Sequence, residues 1–313
     1  MILLAQAEHF VRPPEWTWFI VPYFFLGGLA GGSYALGTLL RLAGDVRDEG
    51  AARLAYIASF IALIPCPIFL ALDLGQPIRF WHMLVNTSEG GLSLNFVSPM
   101  SVGSWALVVF GLFATVSFIE VLVRDRRIRR PAAGRAVRLL DGTPGRLWIA
   151  VGAVLGLFIA GYTGVLLSVS NQPVWSDTWA LGGLFLASGL AGSAALLLLL
   201  VRYRADARAS AGMLELSERL FTLLELVLLV VFVLTLIPDG ALDDAFGFPW
   251  ILVWLVAFAG MVPGLRGLLT ARLAVTADGA MIAQPLVASV SAPGLVLIGV
   301  LALRAAVILS AQF

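Results

Sequence analysis

Asp73, Arg79 and His82 fall within one short stretch, LALDLGQPIRFWHMLVN (Leu70–Asn86), directly after the apolar run AYIASFIALIPCPIF. A carboxylate, a guanidinium and an imidazole at this spacing can simply pair and tie down a chain reversal. They can also pass protons between a ligand and water, because histidine titrates near neutrality and an ionised carboxylate is an acceptor. Two more carboxyls, Glu120 and Glu225, lie in apolar surroundings, Glu225 within FTLLELVLLVVF. Unpaired charge at a bilayer centre costs at least ~2.5 kcal/mol, so each is either a hydrogen-bonded neutral acid or a proton-relay candidate. Tyr162, in AGYTGVLLSVSNQPVW, is a phenol set deep in an apolar run, and a buried phenol needs a partner. A quinone carbonyl is one acceptor of that kind. The flanking Gly161 and Gly164 would let a flat ligand approach the backbone there.

Other chemistry is excluded by count. The chain holds one cysteine, Cys66, and two histidines, His9 and His82. An iron–sulfur cluster needs about four thiolates, and a bis-histidine haem needs paired histidines at membrane depth. Neither group, nor another metal site, is expected, and no disulfide can form within the chain. Cys66 reads as inert packing.

The elements that must position these residues are membrane helices. Of 313 residues 60% are hydrophobic and 12% charged, and the mean hydropathy is +0.97. A span needs roughly 20 apolar residues. Eight are expected: Trp16–Leu40, Ala52–Leu74, Val102–Val123, Leu147–Ser170, Thr178–Val201, Leu216–Ile237, Pro249–Thr270 and Leu286–Leu309. They form an all-α integral membrane protein, a single membrane domain over 1–313, with the first four spans in about 16–170 and the last four in 178–309. Pro65 and Pro67 should kink the second span. The fourth and fifth, joined by NQPVWSD, should form a tight hairpin. The beginning, MILLAQAEHFVRPPEW, has no basic region before its short apolar run, so no signal peptide is expected.

Arginine placement sets the orientation. All 20 basic residues are Arg, and 17 lie in the connections after spans one, three, five and seven. By the positive-inside rule both termini lie outside, in the periplasm of a bacterial inner membrane. The loop RDRRIRRPAAGRAVRLLDGTPGR has the charge of a nucleic-acid patch, but the same rule accounts for it, so no nucleic acid is expected as a partner. FFLGGLAG (Phe24–Gly31) aligns without gaps to FLASGLAG (Phe185–Gly192), four spans apart, which suggests two parallel four-helix halves. Recurrent small residues at helix contacts would produce the same pattern.

Sorted by depth, the polar residues gather at the outer face. Asp73 closes the second span, and Gly75 and Pro77 end it. Arg79, Trp81 and His82 follow. Glu15, Trp16, Trp18 and Tyr23 mark the outer half of the first span, and Asn171, Gln172, Trp175 and Trp179 the short hairpin. Interfacial aromatic belts account for Trp16, Trp250 and Trp254. Arg304, near the outer end of the eighth span, must snorkel or pair.

FFLGGLAGGSYALGTLLRLAGD, LALDLGQPIRFWHML, NFVSPMSVGSWALVVFG and GYTGVLLSVSNQPVWSDTWALGGLFLASGLAGSAAL resemble the NrfD family, the quinone-reactive membrane subunits of complexes such as polysulfide reductase. The likeness covers roughly residues 12–200. The resemblance implies eight helices in two four-helix bundles. It implies no resident metal and an outer-face pocket for menaquinone or ubiquinone. It also implies a periplasmic iron–sulfur partner that connects to a catalytic molybdopterin or multihaem cytochrome subunit. Tyr162 matches the family's quinone-contacting tyrosine. In the family pattern a histidine stands at Tyr23 and an asparagine at Ile20, so Asp73, His82 or Glu15 must supply the proton contact here. The expected quinone-binding set is Tyr162, Tyr23, Trp18, Asp73, His82 and Arg79. Glu225, Glu120 and Asp73 are the proton-pathway candidates. A secondary transporter and a purely structural anchor without ligand are the rival readings; the first should gather its polar residues at the midplane.

Overall fold

The computed structural model describes residues 16, 18–85, 98–277 and 290–312, without side chains for 270–277. Every long element is a helix. α1 (Ile20–Ala43) is the first span, and α2 (Glu49–Leu63) with α3 (Pro65–Asp73) forms the second. α4 (Pro99–Arg124) and α6 (Thr143–Ser168) are the third and fourth, joined through the short α5 (Pro131–Arg138). α7 (Leu181–Val201), α8 (Ala211–Leu236), α10 (Trp250–Ala277) and α11 (Ser291–Ser310) complete the set, with α9 (Leu242–Phe246) between α8 and α10. All eight expected spans are long and apolar enough to cross a bilayer. The part of the eighth expected span before Val290 lies outside the described residues.

Proline and glycine set the boundaries. Pro99 and Pro131 occupy first-turn positions, where the missing N–H costs nothing. Pro65 interrupts the second span at Ile64, giving the expected break between α2 and α3. Gly75 (φ 68°) turns the chain after α3, and Gly142 (φ 73°) turns it into α6.

α1, α2–α3, α4 and α6 pack in a closed ring of neighbours, and α7, α8, α10 and α11 form a second. α1 and α7 make the seam, with α6 against α7 and α11 against α1. The aligned repeats face each other across it. Gly28 meets its counterpart Gly189, where a Cβ on Gly189 would stand 3.3 Å from Gly28 Cα. The counterparts Phe24 and Phe185 meet edge-on at 6.2 Å. Ser193 Oγ donates to Leu29 O at 3.1 Å. Residues with the same place in each repeat touch at the same level, as they must when two parallel helices are related by an axis running between them. The small residues form a packing surface between the two helices. Gly27 and Gly31 face α6 at Ile159 and Gly156, and Gly28 and Gly32 face α7.

Gly161 and Gly164 do not open the backbone to a ligand. They lie against Gly182 and Leu181 of α7, on a different side of α6 from the Tyr162 ring, which packs on Gly103 of α4. Trp254 is likewise no belt residue: it is fully buried and donates Nε1–H to Ala245 O at 2.8 Å.

Arg304 does not snorkel. It is fully buried at the seam, where Nε donates to Phe24 O (3.2 Å), Nη2 to Phe185 O (3.1 Å) and Nη1 to Ser188 Oγ (2.8 Å) and Val300 O (3.1 Å). Its guanidinium also stands over the Phe185 ring, 5.2 Å from the centroid. One cation thus ties the equivalent carbonyls of both repeats to α11. α1 begins and α11 ends on the same face, where Trp16 N–H donates to Gln312 Oε1 at 3.0 Å. That terminal face is opposite the arginine-rich one.

Candidate functional site: a cavity at the terminal face

The beginning of α1, the end of α3, the beginning of α4 and the outer part of α6 enclose a cavity of about 180 Å³. Trp16, Ile20 and Tyr23 come from the α1 side, and Leu70, Asp73 and Leu74 from α3. Met100, Gly103 and Ser104 come from α4, with Tyr162 and Leu166 from α6. The walls are aromatic and aliphatic, and four side chains, Tyr23, Asp73, Ser104 and Tyr162, bring polar oxygens from four helices. This is the composition of a small-molecule pocket with a few orienting groups. At less than the ~300 Å³ of a drug-sized site, it has room for a ring rather than a long molecule.

Tyr162 and Ser104 are held in place. Tyr162 reaches across to α4, donating its hydroxyl hydrogen to Pro99 O, while its ring lies against Gly103 and stacks on Phe158 at 5.1 Å. A Cβ at Gly103 would come within 3.1 Å of the phenol Cζ, so glycine fixes how deeply the ring sits. Ser104 Oγ donates to Met100 O at 2.9 Å. Tyr23 is buried and packs on Phe24 at 5.3 Å. Trp16 stacks on Trp175 at 5.0 Å, and Trp175, fully buried between the bundles, donates Nε1–H to Val307 O at 2.7 Å. The hairpin between α6 and α7 thus supports the pocket from behind.

A second, more open groove of about 550 Å³ adjoins the cavity through the shared Leu74 and Met100. Gln76, Arg79, His82, Met83, Ser98 and Ser101 line it, and His82 packs on Trp81 with ring centroids 3.8 Å apart. Asp73 and the pair Arg79 and His82 therefore stand in two neighbouring compartments.

Of the residues expected from sequence, the cavity contains Tyr162, Tyr23 and Asp73, and the groove contains Arg79 and His82. Trp18 is not in either lining. It lies in the turn before α1, 65% exposed and stacked on Phe19 at 4.7 Å, because the helix begins only at Ile20. Trp16, read from sequence as a belt residue, lines the cavity instead. Glu15 and His9 lie outside the described residues. The α4 wall was missed: Met100, Gly103 and Ser104 carry no chemical signal in the sequence, although an i, i+3, i+4 spacing puts them on one helix face.

The two interior carboxyls belong to different bundles. Glu120 is buried near the arginine-rich face and accepts from Arg41 Nη1 (3.0 Å) and Arg124 Nε (2.7 Å). From Arg41 a polar ladder rises through the first bundle. The guanidinium stands over the Tyr56 ring at 4.9 Å, Tyr56 and Thr38 hydroxyls share a 3.1 Å hydrogen bond, and Tyr34 and Ser117 share one of 2.7 Å. Glu225 lies in the second bundle on the buried stripe of α8 with Glu218 and Thr222. Among the described residues no group of three or more His, Cys, Asp or Glu is placed to hold a metal.

Known proteins share this sequence pattern. A family profile described as "Polysulphide reductase, NrfD" matches residues 7–313. A selenate reductase subunit of Mesobacillus selenatarsenatis is 25% identical over 238 residues, which cover 68% of this chain and 53% of that protein. A polysulfide reductase chain of Wolinella succinogenes is 26% identical over 179 residues, 56% of this chain and 54% of its own. Protein NrfD of Escherichia coli K12 is 29% identical over 210 residues, covering 64% and 63%. The matches span a little over half the length of the first two relatives and under two thirds of the third.

Proposed function

The chain belongs to the NrfD family and is a multi-pass membrane protein; on that premise we propose that it is the quinone-reactive membrane subunit of a respiratory oxidoreductase. The observation that carries this reading is the cavity at the terminal face, where Tyr23, Asp73, Ser104 and Tyr162 from four helices meet on an otherwise apolar and aromatic lining.

The residues fit a quinone headgroup. Tyr23, Trp16, Ile20 and Leu166 supply flat and aliphatic surface for a ring, and the size of the cavity leaves an isoprenoid tail outside, in lipid. A bound menaquinone or ubiquinone supplies the two-electron, two-proton chemistry. Tyr162 would orient a ring oxygen by exchanging its hydrogen bond to Pro99 O for one to the ligand. Asp73 would hold or release a proton at the cavity wall, and His82 and Arg79, in the adjoining groove, would link it to water. Buried packing around Tyr23 and the Trp16–Trp175 stack would exclude bulk water from the ring.

Electrons would pass to or from an iron–sulfur subunit on the terminal face, and through it to a molybdopterin or multihaem cytochrome subunit that carries the terminal catalytic site. Exposed Ile78, Trp18 and Trp179 on that face suit such a docking surface. The 17-arginine bias supports a reading in which the terminal face would lie in the periplasm of a bacterial inner membrane. Glu225 is the group through which proton translocation would run, whereas Glu120, the other candidate, is held in ion pairs with Arg41 and Arg124.

Titration of the purified chain with a quinone analogue, followed by tryptophan quenching, tests the reading. Saturable quenching in the wild type, weakened roughly tenfold in Tyr162→Phe, is expected for loss of one orienting hydrogen bond. Failure to bind any quinone or analogue would overturn it. Co-purification with an iron–sulfur protein tests the partner.

A further inference from the structure

On the arginine-rich face, the end of α1, the beginning of α2, the end of α4 and the first turns of α6 enclose a vestibule of about 590 Å³. Four arginines line it. Arg41 is held by Glu49 (2.8 Å) and Glu120 (3.0 Å), Arg53 by Glu49 (3.1 Å) and Asp125 (2.7 Å), and Arg124 by Glu120 (2.7 Å) and Asp141 (2.8 Å). Each therefore serves as a fixed strut. Arg146, the fourth, has no carboxylate partner among the described residues. Neither has any of the six arginines from Arg126 to Arg138 that lead to it through α5. Two apolar side chains stand among them, Leu139 at 75% and Leu147 at 65% exposure, while Val137 turns inward.

Arg146 at the vestibule, and Arg138 with Arg135 on the preceding helix, each adjoin an exposed leucine in the chain, Leu147 and Leu139, a surface that suits an occupant with an anionic head and an apolar body. Arginine's planar fork suits phosphate oxygens, and leucines at the same level suit acyl chains. Water alone would leave the leucines exposed; free phosphate would leave them uncovered. We propose that the α4–α5–α6 corner is a binding site for an anionic phospholipid, with the headgroup phosphate at Arg146 and the rim arginines of α5 and the acyl chains over Leu139 and Leu147. The site is separate from the quinone cavity, which lies at the opposite face, and does not depend on how that cavity is used.

The full chain, purified from membranes and exchanged into nanodiscs of phosphatidylcholine alone or mixed with phosphatidylglycerol, is assayed by native mass spectrometry for retained lipid. The wild type should keep phosphatidylglycerol in preference to phosphatidylcholine, and the preference should fall as salt is raised. Replacing Arg135, Arg138 and Arg146 together by glutamine should reduce it roughly tenfold or more. Arg204→Gln with Arg208→Gln, on the same face of the second bundle, should leave it unchanged. Equal retention of both lipids by the wild type overturns the proposal without need of any variant. So does an equal loss in the second-bundle variant, which would mean diffuse face charge, or displacement of the lipid by inorganic phosphate well beyond that by sodium chloride at equal ionic strength, which would make the site one for a free ion.

Discussion

At the scale of single residues, the pocket depends on an absent side chain as much as on those present. Gly103 lies under the Tyr162 ring, and any Cβ there would press on the ring edge, with Cζ and Cδ1 at 3.1 and 3.2 Å. Gly103→Ala should therefore tilt the phenol, weaken quinone-analogue binding roughly tenfold and cost about 1–3 kcal/mol of stability through overpacking. Paired quenching titrations and unfolding curves of the wild type and the variant check both effects. Arg304 is the counterpart at the seam. Its guanidinium bonds Phe24 O, Phe185 O, Val300 O and Ser188 Oγ, so Arg304→Leu should destabilise by roughly 1–3 kcal/mol by leaving buried carbonyls without that donor. Denaturation midpoints of the wild type and the variant check the loss. Tyr162 and Asp73 could be picked out from the sequence because a phenol and an acid in apolar runs demand explanation. Gly103 and Ser104 could not, since a glycine and a serine in a membrane helix are ordinary until the helix facing them is known.

At the scale of elements, close helix contact is what the small residues provide. Gly31 of α1 runs against the Gly156 backbone of α6, so a methyl group there meets main-chain atoms that cannot move aside. Gly111 of α4 has its nearest neighbour, Leu63 Cδ2, 3.9 Å from where a Cβ would lie. Gly31→Ala should lower stability by about 1–3 kcal/mol. Gly111→Ala should be neutral or stabilising by up to about 1 kcal/mol, since alanine is the better helix former. Thermal unfolding in one detergent separates the two. The helix inventory was legible in the sequence because hydropathy reports spans directly: the break at Pro65 and all eight spans follow from composition and proline position. Which face of a helix meets which neighbour was not. Trp18 and Trp16 differ by two residues near the mouth of α1, and only the beginning of the helix at Ile20 and the stack on Trp175 decide that Trp16 is the one in the cavity. Gly161 and Gly164 pointed toward Tyr162 in one dimension and away from it in three.

At the scale of the whole molecule, two similar halves have different contents. The first bundle keeps a cavity at the terminal face. In the second the corresponding end is filled by α9, where Trp254 donates to Ala245 O and packs on Phe246 at 4.8 Å and Phe232 at 5.9 Å. The interior polar residues divide the same way. Glu120 is fixed between two arginines at the foot of the Tyr56–Thr38 and Tyr34–Ser117 ladder, as part of an ion-pair network at the arginine-rich face. Glu225 is buried on α8 and, among the described residues, makes no ion pair, while at the seam Arg304 binds Phe24 O, directly after Tyr23 of the cavity wall. A change at Glu120 would first disturb an ion network at the far face; a change at Glu225 would break none. Should protons be moved across the membrane, Glu225→Gln should abolish translocation in reconstituted vesicles of the intact complex while quinone turnover continues. Glu120→Gln should instead lower stability by about 1–3 kcal/mol by weakening its contacts to Arg41 and Arg124, which keep Glu49 and Asp141, with translocation per turnover kept. Proton uptake measured per quinone turned over, beside unfolding curves, distinguishes them. The opposite pattern would assign the conducting path to the first bundle, and unchanged translocation in both variants would exclude either carboxyl from it.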